Sequence, residues 1–516
     1  MAPLNSFVSR PLQCTLFIGA AGGLLLAAGC AVGPDYKRPA PPASAQLTVR
    51  PLPERTARID VLAGDAQTFV NGAPVPRQWW KQFGSAALDT LVDEAFRASP
   101  TVQSAQAALR QAHENVLAAY AVLIPAVDAT ASGQRQRISG AEFGPNSPSF
   151  VYNLYNAAVN VSYGIDIWGG ARRELESLKA QQDYERYALE ATYLTLASNV
   201  VTTAIAEASL REQIATTERL VGASGHRLDV IKKQLQLGGA SSADVLAQQA
   251  ELAQDRAGLP GLRDQLDRQR SLLATLLGRA PGDQPDVQFH LSDLKLPVSL
   301  PVSLPSALVE QRPDVRQQEE VLHQASAQIG VATANMLPQL SLTASAGGSS
   351  TNSSTLLDAA SRTWSVGGSI SQPIFHGGRL FHQRRAAIAA YDEAFADYRQ
   401  TVLTAFRNVA DSLRALADDA DALAEQNDAE QTAAASLSLT DRQYSLGAVS
   451  FLSLLNAQRA ESQAHLLLIQ AQAARYADTA ALYQALGGDW ASQDTSTAAR
   501  TSQSPGQNPS EQGEAR

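Results

Sequence analysis

The sequence predicts an α+β membrane protein built from one strand–strand–long helix–helix unit that occurs twice. Three observations carry this prediction. Landmarks recur at a nearly constant offset along the 516 residues. Each half contains two stretches in which apolar and polar residues alternate at a period of two. Each half then runs for about 68 residues with almost no Gly or Pro.

The repeat is read from paired landmarks. Pro100-Thr101-Val102 opens a helical stretch that reaches Leu123-Ile124-Pro125, and Pro313-Asp314-Val315 opens another that reaches Met336-Leu337-Pro338. The two prolines of each pair lie 25 residues apart, and the copies are offset by 213. Gly169-Gly170 then answers Gly377-Gly378, Leu237-Gly238 answers Leu446-Gly447, and Leu277-Gly278 answers Leu486-Gly487, at offsets of 208 to 209. Such persistence marks a duplication, with one copy over 76–291 and the other over 292–488.

Within each copy the period changes in a fixed order. After Pro125, Val127, Ala129 and Ala131 alternate with Asp128, Thr130 and Ser132. A polar loop follows. Val151, Tyr155, Val159, Val161, Tyr163 and Ile165 then oppose Asn156, Asn160, Ser162 and Asp166. In the second copy Leu340, Leu342 and Ala344 oppose Ser341, Thr343 and Ser345. Trp364, Val366 and Ile370 oppose Ser365, Ser369 and Ser371. Strands of about 10 residues with one apolar and one polar face fit a membrane barrel, though a half-buried soluble sheet shows a similar pattern.

The helices are less ambiguous. Arg379 to Leu446 contains neither Gly nor Pro, and its counterpart from Ala171 to Leu237 contains only Gly222 and Gly225. At ~1.5 Å per residue such a helix is ~100 Å long. The Leu237-Gly238-Gly239 and Leu446-Gly447 breaks are helix-ending turns, so each rod folds back as an antiparallel hairpin. Pro260, between Gly258 and Gly261, is expected to kink the return helix of the first copy. The glycine pairs Gly169-Gly170 and Gly377-Gly378, with Pro125, Pro338 and Pro373, mark the strand–helix joints. No run of 18 apolar residues follows the N-terminal segment, so a membrane span must be a closed barrel. Four strands cannot close one. Oligomerisation is therefore required, and the strand count allows two chains or three.

Residues 1–29 read as an export signal: Arg10, an apolar core from Leu16 to Ala28, and Leu26-Ala27-Ala28-Gly29 before Cys30. The small-residue run ending in Cys30 resembles a bacterial lipoprotein signal, which makes Cys30 the lipidation site and 30–75 a lipid-anchored linker. Ala31, rather than Asp, after the anchor favours the outer membrane. Cleavage removes Cys14 and leaves Cys30 alone, so no disulfide forms within one exported chain. The net charge of −9 carries no basic block, which argues against nucleic acid as a partner. Residues 489–516, rich in Ser, Gln, Thr and Pro, read as a disordered tail.

Several segments together resemble the outer-membrane factor family, the TolC-like channels, in its lipoprotein branch of multidrug efflux subunits (OprM- and NodT-like). They are Cys30 to Tyr36, Trp79-Trp80 with Phe83, the stretch 88–95, and the joints Asp166 to Gly169 and Gln372 to Gly378. The hairpin tips at 237–252 and 444–462 complete the set. The resemblance implies a homotrimer with a twelve-stranded barrel in the outer membrane, continued by a helical barrel across the periplasm. It also implies a periplasmic adaptor (membrane fusion) protein and an inner-membrane RND-type pump as partners. The implied role is passage of small toxic compounds; a type I protein-secretion duct and a non-conducting envelope lipoprotein are the alternatives. The family's periplasmic gate falls on Leu452, Tyr444 and Arg459, with Asn456 where the family carries aspartate.

Catalytic chemistry has no foothold. The seven His form no HExxH or Cys/His cluster, and no GxxxxGK[ST] loop occurs. Neither an enzyme nor a metal site is expected, and the one covalent group is the lipid on Cys30.

Overall fold

A computed structural model describes residues 31–40, 48, 50–144, 148–303 and 305–488. The export signal, Cys30 and the tail from 489 lie outside the described residues. The order of elements repeats. Helix α1 (Ala86–Ala98) precedes α2 (Pro100–Tyr120), strands β2 (Ala126–Ile138) and β3 (Phe150–Ile165), the 67-residue helix α3 (Gly170–Gln236) and α4 (Ser242–Leu276). Then α5 (Pro305–Gln311) precedes α6 (Pro313–Ala334), β5 (Gln339–Ser350), β6 (Arg362–Ser371), the 67-residue α7 (Arg379–Ser445) and α8 (Phe451–Leu486). Helix α4 runs through Pro260 without interruption.

Strand β1 (Thr68–Asn71) pairs in parallel with β4 (Ser299–Val302). This small sheet had no signal in the sequence pattern. The chain divides into two compact units: Met1–Pro39 with Ala108–Arg186 and Gln317–Arg399, and Ala40–Ala107 with Tyr187–Arg316 and Gln400–Arg516.

The first unit holds the antiparallel sheet, ordered β2-β3-β5-β6. Its register decides which side chains share a face. Val127 lies opposite Val161, Val161 opposite Ala344, and Ala344 opposite Val366. One step along, Ala129, Val159, Ala346 and Trp364 align, and Ile165, Leu340 and Ile370 form a further row. The intervening rows are polar: Asp128, Asn160, Ser345 and Ser365 align, as do Ser162, Thr343 and Gly367. Polar side chains bond across strands, with Asn160 Nδ2 donating to Thr130 Oγ1 at 3.0 Å and Ser341 and Ser369 hydroxyls 2.8 Å apart. The apolar rows are open to the surroundings: Trp364 is 80% and Val366 76% exposed. The first copy's strands are 13 and 16 residues long, longer than the alternation suggests.

Residues 31–38 of this unit form a strap. Val32 N–H donates to the Trp168 carbonyl (2.9 Å), and Arg173 on α3 donates to the Val32 carbonyl (3.2 Å) and to Asp35 Oδ1 (2.6 Å). Tyr36 stacks on His323, ring centroids 4.3 Å apart, and Arg38 pairs with Glu319 at 2.8 Å. Hydrogen bonds donated to Glu320 and Glu176 favour the protonated imidazole and raise the His323 pKa against the opposing effect of burial.

The second unit carries the main core. Trp79, Trp80 and Phe83, in a 3-10 turn, are essentially fully buried, and Trp79 stacks on Tyr483 with centroids 5.4 Å apart. Leu88, Leu91, Val92 and Ala95, one stripe of α1, pack into the same cluster with Val200, Ala204, Leu413 and Ala480.

Candidate channel gate

Each rod ends in a turn set by its residues. Gly447 takes φ +73°, a conformation that disfavours side chains, and Ser450 caps α8 by accepting from Ser453 N–H at 3.3 Å. In the first copy Gly238 takes φ +76°, and Ser241 and Asp244 form a reciprocal capping box. Beyond the cap, α8 has two faces. Phe451 and Leu454 are buried in a small core with Leu228, Ile231, Val245 and Leu252. Leu452, Asn456 and Arg459, spaced four and three residues apart, lie on the opposite, exposed side.

These four gate candidates are not equivalent in the structure. Leu452 is 58% exposed. Asn456 makes no side-chain hydrogen bond among the described residues. Arg459 Nε donates to Glu251 Oε2 of α4 at 2.6 Å, which ties the return helices of the two copies together. Tyr444 turns inward: its ring meets Phe451 edge-on at 5.7 Å, and its hydroxyl donates to Gln234 Oε1 at 3.5 Å. Burial, with the negative charge of Asp244, raises the Tyr444 pKa and keeps the phenol neutral. Tyr444 borders a cavity of about 320 Å³ with Arg227, Val230 and Asp441, and Arg227 lies 3.8 Å from Asp441.

Glu251 is the residue that sequence reasoning missed. It sits in the tip segment 237–252 and is only 8% exposed, next to Leu252 and one turn from Gln248, which is fully buried. A carboxylate in the buried stripe of an amphipathic helix needs a partner, and that stripe was the available signal. Asp255, one turn further, accepts from Ser224 Oγ at 2.7 Å, and burial raises its pKa.

The joints were named from their small residues. Gly169 takes φ +75° and lies against Ala31, where an added Cβ would come within 2.5 Å of Ala31 Cβ; Gly170 opens α3. Gly377 and Gly378 take φ +59° and +81° directly before α7. Pro125 immediately precedes β2 and Pro338 immediately precedes β5, while Pro373 follows β6. Trp168 Nε1 donates to the Pro338 carbonyl at 2.8 Å. No group of three or more His, Cys, Asp or Glu suited to a metal occurs among the described residues.

The duplicated long helices, the two-faced sheet in one unit and the helical hairpin of each copy fit a transport channel. Comparison with known proteins bears on this directly. The profile of the family described as "Outer membrane efflux protein" matches residues 91–279 and 304–488, two stretches whose starts are offset by the same 213 residues as the repeat. The chain is 32% identical over 427 residues to the pyoverdine export outer membrane protein OpmQ of Pseudomonas aeruginosa, covering 81% of this chain and 88% of that protein. It is 29% identical over 474 residues to the solvent efflux pump outer membrane protein SrpC of Pseudomonas putida, covering 90% and 97%. The solved outer-membrane channel OprN superposes with a TM-score of 0.80 at 27% identity, over 89% of this chain and 100% of that one. The chain belongs to the outer membrane efflux protein family. It is an efflux component of the outer membrane and not an enzyme.

Proposed function

We propose that three copies of this chain, anchored by lipid on Cys30, form the exit duct of a tripartite efflux system. Twelve strands close a barrel in the outer membrane, with the polar rows lining the lumen and the apolar rows facing lipid. The rods of the three copies form the periplasmic helical barrel. It receives small toxic molecules from an inner-membrane RND-type pump through a periplasmic adaptor. The register of the sheet carries this reading, because matched apolar and polar rows cross its four strands, and the outer edges of β2 and β6 are unpaired among the described residues. An unpaired edge is not tolerated in lipid, so those edges must meet in another copy. Export of pyoverdine and of solvents by the named relatives favours small-molecule cargo.

Cysteines introduced along β2 and along β6 test the closure. Pairs at matched depth are expected to give a disulfide ladder of one, two and three chains in cells, and no further band. A ladder stopping at two chains, or continuing past three, overturns the trimer.

The gate is proposed to be the ring made by Leu452 and Asn456 from three copies, latched by Arg459 and backed by Tyr444. Three neutral Asn456 amides neither repel anions nor concentrate cations as carboxylates do. Asn456→Asp is therefore expected to raise cation over anion permeability several-fold in bilayer recordings at low salt, and less at high salt. An unchanged reversal potential under a salt gradient would remove Asn456 from the gate.

A further inference from the structure

The two strand–helix joints are copies of each other, yet their chemistry is opposite. Counted from the glycine pairs, Asp166, Glu174 and Glu176 of the first joint correspond to Ile374, His382 and Arg384 of the second. At the first joint the arginines are neutralised where they stand. Arg172 pairs with Asp166 at 3.3 Å, and Arg173 with Asp35 and Glu176 at 2.6 and 2.7 Å. At the second, the arginines have no carboxylate partner among the described residues, and Arg379 also lies 3.1 Å from His376 Nδ1. Arg379 donates to Gln383 Oε1 at 3.3 Å, Arg384 to Thr333 Oγ1 at 3.2 Å, and Arg385 lies over the Phe381 ring at 5.7 Å. No Asp or Glu occurs between Gln372 and Tyr391. Beside this positive charge, Ile374 and Phe375, three and four residues beyond the end of β6, are 87% and 84% exposed in the single chain.

The position of this surface follows from the strap. Chain entry into the fold is at the first joint, where Val32 N–H bonds to Trp168 O and Ala31 packs on Gly169. Both joints are fastened to the same corner: Trp168 to the Pro338 carbonyl, and Gln372 Nε2 to the Met336 carbonyl at 3.1 Å. With the lipid anchor proposed on Cys30, one residue before Ala31, that corner is expected at the inner surface of the outer membrane.

We propose that Ile374 to Arg385 is a docking surface for anionic phospholipid of the inner leaflet, an inference that rests on the duct reading above. Ile374 and Phe375 reach the acyl boundary, where exposed apolar and aromatic side chains lower their free energy. The guanidiniums of Arg379 and Arg385 take the phosphates, which they match in shape and charge. Each basic residue near an anionic surface strengthens binding about fivefold. The copies have thus diverged, one joint fixing the strap and the other holding lipid.

The test uses full-length trimers in nanodiscs of equal parts phosphatidylcholine and phosphatidylglycerol, with retained lipid read by native mass spectrometry after detergent exchange. The wild type is expected to retain phosphatidylglycerol preferentially, and excess inorganic phosphate is expected not to displace it. The double variant Arg379→Gln with Arg385→Gln is expected to lose about 25-fold of that preference, about fivefold for each guanidinium, while keeping trimer and conductance. Equal retention by wild type and variant, or no preference in the wild type, overturns the docking surface and leaves the duct standing. Loss of the trimer with lipid retention unchanged overturns it in favour of a neighbouring copy as the occupant. A wild-type chain that never assembles in the bilayer would overturn the duct reading and this surface together.

Discussion

Arg475→Ala is expected to destabilise the second unit by about 3–5 kcal/mol, the combined cost of the cavity left by a fully buried side chain and of neutral acceptors deprived of this donor. Arg475 is fully buried on α8 and its Nη2 donates to Gln67 Oε1 at 2.9 Å, to the Asp65 carbonyl at 3.2 Å and to Thr56 Oγ1 at 3.4 Å. Gln67, also fully buried, passes the connection on by donating to Pro297 O and Thr479 Oγ1, both at 2.9 Å. One guanidinium therefore fastens the segment before β1 to α8, and the Gln67 amide extends the tie toward β4. Arg475→Met would restore volume but leave three acceptors without their donor, so it is expected to rescue only part of the loss.

The measurement is the unfolding midpoint in detergent together with the rate of proteolysis at residues 54–68. A change of less than about 1 kcal/mol, with the segment still protected, would show that the network holds nothing in place. The comparison needs a fixed pH. Burial, with the neighbouring Asp478 carboxyl, pushes Asp419 up to about 8 from an ordinary value of 3.8. The folded protein then holds a proton that the unfolded chain releases, and this contribution to stability falls as pH rises through that window.

What the sequence disclosed was whatever its local periods could encode. Alternation at Val127, Val159, Ala344 and Val366 fixed the face of each strand, and the register later placed these residues in adjoining positions of one sheet face. Its reach fell short at Gln134 to Arg137, polar on both faces, where the ladder to Asn153 and Tyr152 nevertheless continues. Absence of Gly and Pro located the rods to within a residue or two. Pairings across long sequence distances left no such trace. β1 and β4 are four residues each, do not alternate, and include Pro301. Arg38 gives no local hint of Glu319, nor Arg459 of Glu251. Pro260 is accommodated inside the helix: a lost hydrogen bond can be absorbed in a long helix whose neighbours hold it, and α4 stays helical through the position where a kink is expected.

Replacing Arg459 by Gln is expected to raise the open fraction of the channel about tenfold to a hundredfold, because the contact it removes joins the two copies at the proposed gate. Arg459 belongs to the exposed face of α8 with Leu452 and Asn456, but its Nε is bonded to Glu251, a residue only 8% exposed on α4. Without the guanidinium, the buried Glu251 carboxyl loses that donor, with Asp255 one turn away, whose pKa burial and Glu251 already raise. Two carboxylates on one helix face then favour hydration, and hydration requires α4 and α8 to separate at the tip. Glu251→Gln separates this account from simple loss of packing. It removes the stranded charge while leaving an acceptor for Arg459, so its opening effect is expected to be smaller than that of Arg459→Gln. The double variant is expected to fall between the two single variants rather than to add. Single-channel conductance and uptake of a large antibiotic into intact cells would both report the opening. Equal effects of the two single changes would mean that the latch works by shape and not by charge.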